Sequence, residues 1–235
     1  MPVALYDLVG SDTSRPFSPH CWKVRMALLH KGLAFESIPT TFTAIPAIEN
    51  GASSIVPVIR DGDAVVSDSF AIAEYLERAY PDRPTLFGGE GGQASARFVE
   101  AYANGMLHPL IAACAVPDIH DMLGPADQAY CRQSREKRFG QRLEALRDGR
   151  AEAREALGAR LGVVRDVLKR QPFLGGEAPL FADYIVFSAL QWARVTTSFK
   201  ILAVDDPVLA WFERCLDLHG GAGRSVSEAP DREAA

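Results

Sequence analysis

The sequence predicts a small mixed α/β domain followed by an all-helical domain. Over roughly the first 80 residues, short β-rich runs alternate with segments of helical periodicity, which is typical of a sheet with helices on its faces. A glycine-rich segment that ends at Gly92 has the composition of a linker. From Gln93 onward, apolar residues recur at helical spacing without convincing strand character. The predicted units are residues 1–86, a linker at 87–93, a helical domain at 94–222 and a flexible tail at 223–235.

Composition limits the classes of function. Of the 235 residues, 48% are hydrophobic and 23% are charged, which is enough apolar material for a core. The formal net charge of -5 argues against binding to nucleic acid or to an anionic membrane. Four widely spaced cysteines without a CxxC pair favour a reducing compartment. Because we find neither a signal-peptide pattern nor an apolar stretch long enough to cross a membrane, we expect a cytoplasmic protein.

The first strand-loop-helix unit contains the main candidate residue. Val3–Val9 is predicted as a strand, and a helix is predicted from Ser18 to about Lys31, where Gly32 would end it. Ser18 stands at the N-cap position, and Pro19 occupies the first helical position, where its missing N–H costs nothing. The free N–H groups of the first turn attract an anion, and a serine hydroxyl there could donate a hydrogen bond to it.

Other residues near this unit compete with Ser18. Considered alone, the stretch favours Ser18 as a simple helix cap. Ser14 in the preceding loop and Tyr6 in the strand are alternative hydroxyl donors, although the position of Tyr6 in mid-strand favours packing. Cys21 lies one turn inside the helix, where a buried structural thiol is the better interpretation. His20, in the first turn, is placed where it could border a cleft.

The rest of the first domain is predicted to complete the sheet. Pro57 lies inside a β-rich run and cannot donate to a central ladder, so it predicts a bulge, a sheet edge or a cis peptide bond. The first two strands are expected to be parallel because a helix connects them, and a hairpin adds antiparallel strands. The predicted elements are a strand at Ala34–Pro39, a short irregular helix at Thr43–Glu49, a β-run at Ile55–Ile59, a turn at Asp61–Asp63, a strand at Ala64–Val66 and a helix at Phe70–Ala79.

Three features of this domain converge on one ligand. A cis bond before Pro57 would turn the backbone N–H and C=O of Val56 outward, where an extended peptide could pair with them. The start of the next helix, with Ser69, would bind a carboxylate, and Asp68 would pair with an ammonium group. A peptide with an α-amino acid head, a backbone section and a thiol fits these groups together with Ser18. Glutathione has this outline.

The second half is predicted to contain five helices, of which one is central. The charges of the second helix are interpreted as a solvated face. Trp192 and Trp211 are assigned to the core, and Asp118, His120 and Asp121 lack the spacing of a metal site. The predicted helices are Ala94–Cys114, Ala126–Ala156, Leu157–Arg170, the strongly apolar central helix Phe181–Val195, and Pro207–His219.

These motifs resemble those of the glutathione transferases. Ser18–Leu28, with the sequence SPHCWKVRMAL, is similar to the family's helix-start motif of Ser or Cys, often Pro, then aromatic-basic-Val-Arg-x-Ala-Leu. Val56-Pro57 resembles its Val-cisPro motif, and Asp68-Ser69 resembles its acid-Ser pair.

The second half refines the resemblance. Gly175–Tyr184 is similar to the family's helix-capping segment, but Leu180 stands where the family usually has Ser or Thr, which leaves Asp183 to support that helix start. More narrowly, the chain resembles the bacterial β-etherase branch, whose members cleave β-aryl ethers of lignin-derived compounds with glutathione. The similar stretches are Ile72–Phe87, Asp118–Asp121, Ser134–Glu136, Gln141–Glu144 and Asp205–Pro207.

The resemblance implies a thioredoxin-like βαβαββα N-terminal domain, an all-helical C-terminal domain and a homodimer. Glutathione would be the co-substrate, and its thiolate, stabilised by Ser18, would attack a hydrophobic aromatic electrophile such as a β-aryl ether. No metal or redox cofactor is needed for this step. The residues assigned to glutathione are Val56, Pro57, Asp68 and Ser69, with Thr41, Phe42 and His20 added on position.

Two other functions stay open. A glutathione-dependent thiol-disulfide reductase would need a cysteine where this chain has Ser18. A non-catalytic relative would keep the fold as a glutathione-binding or interaction module.

Overall fold

The computed structural model describes residues 2–231, and its first domain contains a four-stranded sheet. The elements of this domain are β1 (Val3–Leu8), α1 (Pro19–His30), β2 (Phe35–Thr40), a 3₁₀ segment (Phe42–Asn50), β3 (Val58–Asp61), β4 (Ala64–Ser67) and α2 (Ser69–Ala79). The strand order is β2-β1-β3-β4, with β2 parallel to β1 and with β3 antiparallel to both β1 and β4. This is the predicted mixed sheet, and it has the thioredoxin-like arrangement.

Helix α1 begins where the sequence predicts. Ser18 is its N-cap, and the Ser18 hydroxyl oxygen accepts a hydrogen bond from the Cys21 backbone N–H at 3.3 Å. Pro19 occupies the first helical position. Beyond the helix, Gly32 has a φ of 63°, a left-handed conformation that glycine adopts without a steric penalty. Local sequence signals therefore place the Ser18 side chain at the junction between the β1–α1 loop and the helix.

The β-rich run at 55–59 is a strand only from Val58 onward, which corrects the predicted span. Pro57 has no N–H to contribute to a ladder, and the peptide bond between Val56 and Pro57 is cis. Strand pairing starts at Val58, which lies opposite Tyr6 of β1 and Ser67 of β4. Of the three arrangements predicted for this proline, the structure contains the cis peptide bond.

The second domain is helical: the helices predicted at Phe181–Val195 and Pro207–His219 are present, whereas the one predicted at Leu157–Arg170 is interrupted at Leu161. The segments expected as single helices at 94–114 and 126–156 are both divided, the first by a π-helical turn and the second near Gly140 and Gly149. Gly140 has a φ of 68° and ends its helix. The elements are α3 (Glu90–Tyr102), the π turn (Ala103–Leu107), α4 (His108–Asp121), α5 (Pro125–Phe139), α6 (Leu143–Asp148), α7 (Arg150–Arg160), α8 (Gly162–Leu168), α9 (Phe181–Thr196) and α10 (Pro207–Gly221).

Helix α9 is the buried centre of this domain, as predicted. Leu180 at its N-cap offers no side-chain acceptor, and Asp183 replaces it. The Asp183 carboxylate accepts hydrogen bonds from the backbone N–H groups of Leu174, Gly175 and Leu180 at 2.7, 2.8 and 3.0 Å. Trp211 of α10 donates its indole N–H to the same carboxylate at 3.1 Å. Asp183 therefore joins the α8–α9 loop, α9 and α10.

The predicted linker at 87–93 is partly helical, because α3 already begins at Glu90.

Trp211 lies in the core, as predicted, and is fully buried. No helix in the described part of the chain is both long enough and apolar enough to cross a membrane.

The described part of the predicted tail, residues 223–231, packs against the rest of the protein. The Arg15 guanidinium donates hydrogen bonds to the backbone carbonyls of Ser227 at 2.7 Å and Glu228 at 3.2 Å. Val226 is buried, with 6% of its surface exposed. This segment is consequently fastened to the loop that precedes Ser18, and the remainder of the predicted tail, 232–235, lies outside the described residues.

Candidate active site

A cavity of about 470 Å³ lies between the two domains and is called the interdomain cavity below. Four of the predicted site residues line its wall on the side of the sheet domain: Ser18, His20, Phe42 and Val56. Helices α4, α5 and α9 contribute the opposite wall. The other four predicted residues lie outside the wall: Thr41 and Pro57 adjoin Phe42 and Val56 in the chain, and Asp68 and Ser69 begin α2.

Ser18 lines the interdomain cavity and brings a hydroxyl donor to it. Only 4% of its surface is exposed, and its oxygen already accepts the hydrogen bond that caps α1. Its O–H lies beside the Cys21 thiol, whose pKa it lowers, and has no oxygen or nitrogen acceptor among the described residues. Since a hydroxyl can accept and donate at once, Ser18 can cap the helix and still donate to a ligand atom in the cavity.

The alternative donors are directed elsewhere. The exposed Ser14 donates its hydroxyl to the Asp12 carboxylate at 2.6 Å, and it does not line the interdomain cavity. The Tyr6 hydroxyl donates to the Glu49 carboxylate, and this hydrogen bond is the main cause that raises the pKa of Tyr6 above its ordinary value. Cys21 is fully buried, and burial raises the pKa of its thiol well above the usual range. Among these side chains, Ser18 alone faces the cavity.

Val56 offers unpaired backbone groups at the cavity wall. Its side chain is partly buried, and neither its N–H nor its C=O has a hydrogen-bond partner among the described residues. Backbone donors and acceptors that lack a partner are the groups an added peptide strand requires.

The start of α2 presents both a carboxylate and a pair of donors. Asp68 is the N-cap, and one of its oxygens accepts hydrogen bonds from the N–H groups of Phe70 at 3.0 Å and Ala71 at 2.9 Å. The second Asp68 oxygen accepts none from the described residues. The N–H and hydroxyl of the buried Ser69 are likewise unpaired within the described chain. Adjacent positions can thus bind an ammonium group and a carboxylate.

Two uncharged histidines stand beside Ser18. The rings of His20 and His108 meet edge to face with centroids 5.2 Å apart. Burial lowers the pKa of His20 to about 3, and the charges of Lys23 and Arg138 lower it as well. Burial also holds the pKa of His108 well below its ordinary value. The Lys23 ammonium lies 3.3 Å from His20 Nδ1, which must therefore accept the hydrogen bond, as a neutral ring does.

Trp192 corrects a sequence-based expectation. The sequence predicts it in the core, but it is only partly buried and lines the interdomain cavity, with its ring centroid 5.9 Å from that of His108. Helix α5 contributes further residues that the sequence reasoning missed, because its charges were interpreted as solvated. These residues are Tyr130, Arg135 and Arg138.

Asp127 of α5 holds the rim of the cavity in place. Its carboxylate accepts hydrogen bonds from the backbone N–H groups of Phe42 and Thr43, both at 2.9 Å. These N–H groups begin the 3₁₀ segment and have no partner within it, and its N-cap residue, Thr41, makes no side-chain hydrogen bond to them. A residue of the helical domain therefore caps a segment of the sheet domain, next to the Phe42 ring.

Replacing Asp127 with alanine is expected to lower the free energy of unfolding by about 1–3 kcal/mol, because two partly buried hydrogen bonds lose their charged acceptor. The Michaelis constant for a substrate in the cavity should rise, since Phe42 loses its support. Urea unfolding and steady-state kinetics measure the two effects. Gln133→Ala, on an exposed position of the same helix, is the matched control and should change neither. An unchanged unfolding midpoint in Asp127→Ala would contradict this role.

The acidic side chains near the end of α4 are engaged in ion pairs with arginines. The Asp118 carboxylate lies 3.3 Å from the guanidinium of Arg147 and 2.7 Å from that of Arg150. Within the described residues, no group of three or more His, Cys, Asp or Glu side chains is arranged to hold a metal ion.

Together, the fold and the site define a protein with a thioredoxin-like domain and a helical domain. A cavity lies between the two domains, and a serine at the start of a helix lines it. The chain belongs to the glutathione S-transferase family. Residues 13–84 match the family model described as the glutathione S-transferase N-terminal domain, and residues 94–216 match that of the C-terminal domain.

Similar proteins come from fungi and plants. The chain is 26% identical to the glutathione S-transferase-like protein ustS of Aspergillus flavus, over 82% of this chain and 80% of that protein. It is 41% identical to glutathione S-transferase Z1 of Arabidopsis thaliana over 69 residues, which cover 27% of this chain and 31% of that protein.

Solved structures share the whole fold. Glutathione transferase GSTFuA3 of Phanerochaete chrysosporium superposes with a TM-score of 0.78 at 27% identity, over 98% of this chain and 99% of that chain. Glutathione S-transferase CsGST63524 of Ceriporiopsis subvermispora, solved in complex with glutathione, has a TM-score of 0.78 at 23% identity, over 98% and 100% of the two chains.

Proposed function

We propose that this chain is an enzyme that transfers glutathione to an aromatic electrophile, with Ser18 as the residue that stabilises the glutathione thiolate. The observation that carries the proposal is the position of the Ser18 hydroxyl, which lies at the start of α1 in the wall of a cavity between the domains. A free thiol has a pKa of about 8.5, so little thiolate exists at neutral pH. One hydrogen bond to the anion, worth roughly 1.5–3 kcal/mol, would lower that pKa by about one to two units.

Glutathione is proposed to lie along the sheet-domain wall. Its α-amino acid head would meet the second Asp68 oxygen and the two donors of Ser69, while its backbone would pair with Val56 beside Pro57. The thiol then reaches Ser18. Unpaired groups of the correct polarity at each of these points support this placement.

The remaining predicted residues border this ligand. Thr41 and Phe42 are proposed to lie near its glycyl end, and His20 near its sulfur. Membership of the glutathione S-transferase family supports glutathione as the co-substrate, and the complex of the Ceriporiopsis subvermispora relative is consistent with it.

The electrophile is proposed to enter from the helical wall. Rings at that wall and at the rim, those of Phe42, Tyr130 and Trp192, would hold an aromatic group against the sulfur. The thiolate attacks the carbon, a thioether bond forms, and the leaving group departs with its electron pair. β-Aryl ether ketones are one proposed class, in which an aryloxide leaves, on the strength of the resemblance of Ile72–Phe87 to the β-etherase branch.

Two measurements test the function. We expect the protein to be retained on immobilised glutathione and to conjugate 1-chloro-2,4-dinitrobenzene, with a screen of β-aryl ether ketones to follow. We expect slow reduction of hydroxyethyl disulfide at most, because Ser18 replaces the cysteine that this chemistry needs. A protein that elutes unretained, or that reduces the disulfide and leaves the aryl chloride untouched, would overturn the proposal.

The chain is also proposed to form a homodimer and to work in the cytoplasm. Helix α3 exposes 72% of Phe98, and the π turn that follows exposes 45% of Met106, large apolar surfaces of the kind found at interfaces. All four cysteines are free and buried, which supports a reducing compartment.

Replacing Phe98 with glutamate is expected to convert the dimer to a monomer, because a charge would be placed in an apolar contact. Sedimentation velocity at micromolar protein measures the change in mass. Val204→Glu, at a position that is 94% exposed and distant in sequence from α3, is the control and should leave the dimer intact. A wild-type protein that sediments as a monomer would refute the dimer.

A further inference from the structure

The charge of the interdomain cavity is unbalanced. Among the described residues, its walls contain two arginines, Arg135 and Arg138 of α5, and no aspartate or glutamate. The remainder of the helical wall is apolar or aromatic, apart from the uncharged His108 and one asparagine. An aromatic substrate by itself gives no reason for two guanidinium groups at such a wall.

Neither arginine has an acidic partner in the described part of the chain. The Arg135 guanidinium donates to the Ser134 hydroxyl at 2.8 Å and lies over the Phe42 ring at 5.4 Å from its centroid. The Arg138 guanidinium lies 5.9 Å from the Phe139 ring. By contrast, Arg132 on the same helix pairs with Glu136 at 2.8 Å and with Glu144 at 3.1 Å. The unpaired arginines of α5 are thus the ones that face the cavity.

The charge of Arg138 reaches both histidines of the cavity. Arg138 is among the groups that lower the pKa of both His20, in the same helical turn as Ser18, and His108, on the opposite wall. Because both imidazoles are neutral, they add nothing that would offset the positive potential. A thiolate at Ser18 balances one positive charge, which leaves the other available to a second anion.

We propose that the electrophile of this enzyme is an aromatic acid whose carboxylate binds to Arg135 and Arg138. The inference rests on the proposed function, since the acid is the second substrate of the same site. Planar guanidinium groups suit a carboxylate because they can donate two parallel hydrogen bonds. The Phe42 ring, stacked under Arg135, keeps that guanidinium at the rim while the substrate ring lies deeper.

A carboxylate can also come from glutathione itself, through its glycyl end. The 3₁₀ segment and the residues that follow it to Ile55 contain no lysine, arginine or histidine that would hold this group. We assign the arginines to the electrophile because both belong to the helical wall of the cavity, where Arg138 lowers the pKa of His108. The experiment distinguishes the two sources.

The test compares 4-chloro-3,5-dinitrobenzoate with its neutral methyl ester, each rate being divided by the uncatalysed rate with glutathione. In both reactions the thiolate forms the C–S bond, chloride leaves with its electron pair, and the thiol proton passes to solvent. The double variant Arg135→Gln/Arg138→Gln should lower kcat/KM for the acid about tenfold or more and leave the ester within about twofold. Lys137→Gln removes a positive charge from an exposed position of α5 and should change neither substrate.

Three outcomes overturn the inference. The first is an equal loss for acid and ester in the double variant, and the second is no loss for the acid. The third is a rise in the KM for glutathione with the ester as electrophile, together with insensitivity of glutathione glycyl ester to the substitutions, which would assign the arginines to the glycyl carboxylate.

A binding measurement separates this inference from the proposed function. With S-methylglutathione present, 3,5-dinitrobenzoate should quench tryptophan fluorescence at a concentration about tenfold lower than its methyl ester does, and the double variant should abolish the difference. Selective binding of the acid without turnover of either chloride would support the arginine site and refute the enzyme. Turnover of both chlorides with equal affinity for acid and ester would support the enzyme and refute the arginine site.

Discussion

Replacing Ser18 with alanine is expected to lower kcat/KM for an aryl chloride by about one to two orders of magnitude at neutral pH. The variant loses the O–H that stabilises the thiolate, so the pKa of bound glutathione should rise by about one to two units. The thiolate then forms only at higher pH. We therefore expect the rate of the variant to approach that of the wild type as pH rises through the new pKa. The ultraviolet absorbance of bound thiolate, followed against pH, measures the shift directly.

Control variants separate this effect from helix capping. Ser18→Thr keeps both the acceptor for the Cys21 N–H and the donor, and it should retain most of the activity. Ser14→Ala removes a hydroxyl that is bonded to Asp12 and should leave the rate unchanged. Loss of the cap in Ser18→Ala costs about 1 kcal/mol of stability, which urea unfolding measures separately. Full activity in Ser18→Ala, or an unshifted thiol pKa, would exclude Ser18 from the mechanism.

Replacing Asp183 with alanine is expected to lower the free energy of unfolding by about 3–5 kcal/mol, the largest change we predict for stability. The carboxylate is fully buried and accepts four hydrogen bonds, three from backbone N–H groups and one from Trp211. Alanine would leave those donors buried without an acceptor. Leu180 cannot compensate, because its side chain has no acceptor. Urea denaturation followed by far-ultraviolet circular dichroism provides the measurement.

Two further substitutions make that prediction specific. Asp183→Asn preserves the size of the side chain and one acceptor oxygen but turns an NH₂ toward N–H donors, so we expect an intermediate loss. Asp166→Ala removes an aspartate whose side chain is 75% exposed and paired with Lys169, and it should change the free energy of unfolding by less than about 0.5 kcal/mol. Equal effects of Asp183→Ala and Asp166→Ala would show that the four hydrogen bonds contribute nothing.

The sheet domain could be predicted in detail because its signals are local. A serine followed by a proline marks the start of α1, a glycine marks its end, and Pro57 demands an exception in a β-run. Each of these residues restricts the backbone of its own neighbourhood, so no knowledge of distant contacts is required. The structure differs mainly at the start of the β-rich run at 55–59, where strand pairing begins only at Val58.

The helical domain was harder to predict because periodicity continues across breaks. The apolar pattern of 94–114 passes through the π turn at Ala103–Leu107, and that of 126–156 passes through Gly140. A glycine inside a helical pattern is tolerated at a cost of about 1 kcal/mol, so its presence alone does not predict an end. Gly140 does end its helix, with a φ of 68°.

The helical wall of the site was missed for a related reason. On α5, Cys131, Arg135 and Arg138 recur at helical spacing and are joined by the aromatic residues Tyr130 and Phe139. A charged stretch is usually solvated, and this pattern was interpreted in that way. The aromatic residues on the same face were the available signal that it borders a cavity, but only the packing of α5 over the sheet domain shows which cavity.

The contacts of Arg15 bear on protein engineering. This one guanidinium joins the carbonyls of Ser227, Glu228 and Val195 to the loop ahead of Ser18. A truncation before Ser227 would remove two of the three carbonyl acceptors of Arg15 and loosen the loop that precedes Ser18. Affinity tags and fusion partners are therefore better attached at the amino-terminal end, where Pro2 is exposed and β1 already holds the chain.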